Sequence, residues 1–166
     1  MSSLGEPLRL VHVLTAALCL TGVAYPCSGQ ALIDIANIEA HLVYQFGDTS
    51  ANIIGPHPWV LWNTIIGEGD AKRPSHATLV VVVVRGRTRA TPRTKVRLSI
   101  SGRLPGRDSM EAALVPFDSS GVQRVPFHLA HTGCDSLHLT ARLVPSSRAR
   151  ASVSPRSADI AFHCGE

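Results

Sequence analysis

The chain has 166 residues, a formal net charge of +4, 17% charged and 45% hydrophobic residues, and four cysteines. That length suits one domain with a real core. Beyond residue 29 the longest strongly apolar run covers only 79–84, which excludes a helical membrane span, since that takes about 20 apolar residues.

Residues 10–24 form an apolar stretch with Arg9 before it and small residues after it, and His12, Thr15 and Thr21 interrupt it. It is too short for an anchor and predicts a signal peptide over 1–29. Cleavage after Ala24, with Gly22 at the −3 position, and cleavage after Gly29, with Cys27 there, both fit the small-x-small rule. An exported product, periplasmic or secreted, follows, with residues 30–166 as its single domain. Cys19 leaves with the signal. Cys27 sits at the processing site, and the preceding Ala24, Tyr25 and Pro26 lack the small residue expected directly before a lipidated cysteine.

In chain order, Ile38, Ala40, Leu42, Tyr44 and Phe46 alternate with Asn37, Glu39, His41 and Gln45, the two-residue period of a half-buried strand. The runs 47–50 and 55–58 are turn formers. Residues 59–66 are apolar on both parities, which predicts a strand covered on both sides, with Trp62 inward and Trp59 facing the other way. Residues 67–76 read as a surface loop. Residues 78–84 contain five consecutive valines, whose branched side chains suit a pleated sheet. Val96, Leu98 and Ile100 alternate with Lys95, Arg97 and Ser99, and the strands 78–84 and 96–100 are expected to pair as a hairpin. Further strands are expected at 113–117, 122–129, 137–144 and 158–162.

Seven or eight short strands separated by Gly, Pro, Ser and Asp turns predict an all-β fold, an antiparallel β-sandwich that is immunoglobulin-like in a broad sense, with a small β-barrel as the alternative. Cysteine spacing and the absence of a tyrosine two residues before a cysteine depart from the antibody-type pattern. Cys134 and Cys164 remain in a chain bound for an oxidising compartment, where a disulfide is expected.

Charge is segregated. Between Ala71 and Arg107 stand Lys72, Arg73, Arg85, Arg87, Arg89, Arg93, Lys95, Arg97, Arg103 and Arg107 with no Asp or Glu, whereas 34–70 holds five acids and no Lys or Arg. Arg85, Arg87, Arg89, Arg93, Lys95 and Arg97 all have odd numbers, so strand alternation would set them on one face of the expected hairpin, with the valines and Leu98 and Ile100 facing in. Such a face suits an anionic glycan, a lipid head group or an acidic protein, because the arginine fork donates two parallel hydrogen bonds to phosphate-like groups. Nucleic acid is disfavoured, since no aromatics interleave for base stacking. The plainer explanation is a sheet edge decorated with charge against edge-to-edge pairing.

His131, Cys134, His138 and His163 form an alternative metal set for zinc or copper. It competes with the disulfide for Cys134. Trp59, with His57 as polar neighbour, is a candidate platform for a sugar ring. No Gly-x-Ser-x-Gly, His-Glu-x-x-His or phosphate-cradling glycine loop occurs. The sequence therefore predicts an exported, non-catalytic binding or accessory module without a cofactor, engaging an anionic partner through 85–97. The alternatives are a metal-binding protein and a purely structural domain.

Overall fold

The computed structural model describes residues 33–57, 59–86, 94–102, 109–145 and 154–165. The expected signal peptide lies outside the described residues. The chain is mostly strand: β1 (Ile33–Tyr44), β2 (Leu61–Trp62), β3 (Ser75–Gly86), β4 (Thr94–Ser101), β5 (Ser109–Ala113), β6 (Val122–Ala130), β7 (Leu137–Pro145), β8 (Arg156–Ile160) and β9 (Phe162–His163). A single 3₁₀ turn, Gly69–Ala71, is the one helical piece among the described residues. No helix among them is long and apolar enough to cross a membrane.

Two antiparallel sheets carry the fold, one ordered β1-β3-β6 and the other β5-β4-β7-β8, while β2 and β9 pair in parallel as a short third ribbon. Alternation does what the sequence predicts. Val80, Val82 and Val84 of β3 and Val96, Leu98 and Ile100 of β4 enter one hydrophobic core, together with Ile38, Ala40 and Leu42 of β1 and Leu137, Leu139 and Ala141 of β7. Burying such side chains supplies the main stabilisation of the fold, at about 1.5–3 kcal/mol each.

The expected hairpin of β3 and β4 is corrected. Strand β3 lies between β1 and β6, and β4 lies between β5 and β7, so neither has a free edge for the other. Five successive valines demand this central position. Val81 and Val83 on the outer face are themselves buried, because Glu39 of β1 and Arg124 of β6 meet in an ion pair across β3, beside these two valines in the register. The aliphatic stem of Arg124 adds apolar cover of the kind long cationic side chains provide.

Two other expectations change. The strand predicted at 113–117 lies earlier, at Ser109–Ala113, and residues 114–117 fold back instead: Leu114 and Phe117 are buried while Val115 is exposed. Pro116 cannot donate to a ladder, and the apolar content here caps the core. The strand predicted at 59–66 shortens to two residues because Asn63 turns left-handed, at φ 44°. Leu61 points inward, and Trp62 is 46% exposed, so the expected assignment reverses. Trp59 is the tryptophan packed against the core, and Trp62 lies over Gly165 and near His163, ring centroids 6.4 Å apart.

The carboxyl-terminal segment is tied down twice. Leu61 and Trp62 pair with Phe162 and His163, and Cys134 is bonded to Cys164, Cα atoms 4.7 Å apart. The disulfide expected from the sequence is thus present.

Candidate functional site

The cationic residues fall on both sheets. Arg85 stands exposed near the end of β3, on the outer face of the three-stranded sheet, whereas Lys95 and Arg97 stand on the outer face of the four-stranded one. Arg87, Arg89 and Arg93 lie outside the described residues, in the connection 87–93 that joins the two sheets. The odd-number rule holds for facing, since Arg85, Lys95 and Arg97 all turn away from the core. It fails for the ribbon, because the two strands belong to different sheets.

Glu111, which sequence reasoning left aside, reshapes the electrostatics on β4. It stands opposite Arg97 in the β4–β5 register. Arg97 Nε donates to Glu111 Oε1 at 2.7 Å, and Lys95 Nζ donates to Oε2 at 3.2 Å. These hydrogen bonds, that from Arg97 first and that from Lys95 second, hold the Glu111 carboxyl below its ordinary range. On the other side of Arg97 the register places Arg142, a like-charge juxtaposition that is unfavourable by itself and that Glu111 offsets. Among the described residues neither Arg85 nor Arg142 has a carboxylate within ion-pair distance.

The metal set does not come together. Cys134 is spent in the disulfide. His131 is an exposed turn residue at φ 57°, His163 pairs with Trp62 on β9 and β2, and His138 is held by Asp159. Among the described residues no group of three or more His, Cys, Asp or Glu stands close enough to share a metal ion.

His138 belongs to a different arrangement. Its Nδ1 lies 2.6 Å from Asp159 Oδ1, and its Nε2 lies 3.3 Å from Thr140 Oγ1, which in turn lies 3.1 Å from Ser157 Oγ. A carboxylate only accepts, so Nδ1 donates to Asp159, and in the neutral ring Nε2 is then the acceptor facing the Thr140 hydroxyl. Nucleophile, base and carboxylate thus follow one another in the order hydrolases use. The register puts His138, Thr140, Asp159 and Ser157 on the exposed face of β7 and β8. The backbone amides of β7 are committed to ladders with β4 and β8, so that strand offers no pair of N–H donors for an oxyanion. The arrangement orders four polar side chains across two strands of a sheet. Motif reading passes over it because its members stand on two strands.

No protein-family model matches the chain, and neither the curated proteins nor the solved structures give a significant match.

Proposed function

We propose that the protein is an exported, non-catalytic binding module that engages an anionic partner at the end of the molecule where β3 passes to β4. The observation that carries this reading is the acid-free run from Ala71 to Arg107, with Arg85 and Lys95 exposed on either side of the connection 87–93. Three further arginines, Arg87, Arg89 and Arg93, belong to that connection. Glu111 meets part of the β4 charge, so the binding charge centres on the connection and Arg85, with Arg142 beside Arg97 in the register. Arginine suits sulfate, phosphate and carboxylate alike. The disulfide fits an oxidising compartment, in keeping with the signal peptide expected over 1–29.

Contacts of this kind are screened by salt. The native protein is expected to be retained on a heparin-like resin at about 0.15 M salt, and replacing Arg87, Arg89 and Arg93 together with Ser is expected to move its elution to lower salt. Equal retention of the two proteins overturns the reading. Export is read separately, from the mass of the mature chain and the compartment that holds it.

A further inference from the structure

At the opposite end of β3 from the basic connection, where β1 ends, lies a cleft of about 480 Å³. That is a size typical of small-molecule sites, about 300–1,000 Å³. Its lining brings together Tyr44, His57, Trp59, Asp70, Lys72 and Arg73. The pairing of the last residue of β1 with the first of β3, Tyr44 with Ser75, and the hydrogen bonds between Asp70 and Val60 bring these stretches together.

The cleft is built from fixed parts. Tyr44 OH donates to the carbonyl of Ala71 at 3.1 Å in a buried hydrogen bond, and the Arg73 guanidinium covers the Tyr44 ring, 3.9 Å from its centroid. Arg73 Nη1 donates to Asp48 Oδ2 at 2.7 Å. Asp70 clamps the backbone beside Trp59: its Oδ2 accepts from the Val60 amide at 2.8 Å, and its own amide donates to the Val60 carbonyl at 3.0 Å. Trp59 packs against the core and still lines the cleft.

Asp48 and Asp70 balance Arg73 and Lys72 in number, but the four are engaged differently. Arg73 is met by Asp48, and Asp70 is engaged by a backbone amide. Among the described residues Lys72 has no carboxylate within ion-pair distance. Lys72 is also left-handed, at φ 56°, because it ends the Gly69–Ala71 turn, a place where a helical turn commonly stops in this conformation.

We propose that the cleft binds an acidic mono- or disaccharide. The apolar face of a sugar ring lies against Trp59, as large aromatics favour, and its carboxylate or sulfate meets the Lys72 ammonium, with His57 as a polar neighbour. Arg73 already occupies a face of Tyr44, so the cleft does not sandwich a flat base between two rings. The inference is independent of the basic connection, which lies at the other end of β3.

The test uses the mature protein and two probes, a sulfated uronic-acid disaccharide and a neutral disaccharide of the same size, with binding measured by calorimetry. The acidic probe is expected to bind and the neutral one to bind more weakly by about tenfold or more, as loss of a charge-assisted contact implies. Trp59→Ala and Lys72→Gly are each expected to weaken the acidic probe to a similar degree, while Lys72→Arg retains it. Lys72→Gly is the deciding variant, because glycine adopts the left-handed conformation without penalty and thermal unfolding verifies that it remains folded. The variant with Arg87, Arg89 and Arg93 replaced by Ser is expected to bind the disaccharide like the native protein. The inference is overturned by equal binding of the two probes, by full affinity in Lys72→Gly, by failure of the native protein to bind at about 1 mM probe, or by a loss seen only in the arginine variant.

Discussion

Gly86 faces Phe117 so closely that a β-carbon at residue 86 would sit 2.5 Å from two atoms of the ring. Phe117 is buried and belongs to the segment that folds back over the core. The Gly86 amide also donates to the Gly121 carbonyl at 2.9 Å, so the backbone is held from that side. Gly86→Ala is therefore expected to destabilise by about 1–3 kcal/mol through overpacking. Adding Phe117→Leu should recover part of the loss, and a double-mutant cycle by denaturant unfolding measures the coupling.

A buried hydroxyl pair makes a second prediction. Thr78 and Thr132 are both buried, with Oγ1 atoms 2.8 Å apart. Thr78→Val leaves the Thr132 hydroxyl without this partner and is expected to cost about 1–3 kcal/mol. The double variant with Thr132→Val should be closer to native than either single change, read as denaturation midpoints.

The Cys134–Cys164 bridge closes a sequence separation of 30 residues. On the chain-entropy account its removal costs about 3.5–4 kcal/mol. The Cys134→Ser, Cys164→Ser protein is expected to show that loss in denaturant unfolding. Hydrogen exchange should rise first at Phe162 and at its partner Leu61, because the tail then depends on a two-residue ribbon.

Glu111 bears on the binding reading. With both Lys95 and Arg97 bound to it, it lowers the positive field of the four-stranded sheet. Glu111→Gln is expected to delay elution from a heparin-like resin to higher salt, while changing stability little, as is usual for exposed ion pairs. Earlier elution of this variant counts against an anionic partner on this side of the molecule.

Stability should fall in acid, with a sign fixed by three exposed carboxylates. A hydrogen bond from Arg73 lowers Asp48, hydrogen bonds from Arg97 and then Lys95 lower Glu111, and hydrogen bonds from the Ser120 side chain and then its amide lower Asp118. Because each titrates lower in the folded chain than in the unfolded one, the unfolded chain binds more protons in acid. The contribution is present in full at neutral pH and is lost as pH drops below the ordinary carboxylate range towards the lowered values. The Asp48→Asn, Glu111→Gln, Asp118→Asn protein is expected to show a shallower fall of unfolding free energy across that range.

The strands were legible wherever one face was buried. Val96, Leu98 and Ile100 announced β4, and Leu137, Leu139, Ala141 and Leu143 announced β7, because period two leaves the same trace in sequence as in space. Pairing leaves no such trace. The valines of β3 marked a strand covered on both sides, but which neighbours covered it depended on β1 and β6, distant in sequence. Trp62 was misassigned because alternation gives opposite faces without saying which is inward, and a left-handed Asn63 ended the strand before the pattern could decide. The cleft was half visible, in Trp59 and His57. Tyr44, Asp70, Lys72 and Arg73 join them through the antiparallel meeting of β1 and β3 and the hydrogen bonds between Asp70 and Val60, which no local spacing records.

Phe162 is almost wholly buried, and its strand is parallel to one drawn from the first half of the chain. A polypeptide delivered amino end first therefore presents Leu61 long before the residues that cover it arrive. Until then the interior stays open at that corner, and the thiol of Cys134 waits for its mate. Closure of this corner therefore waits on residues 162–164, which act as a latch on a segment some hundred residues earlier.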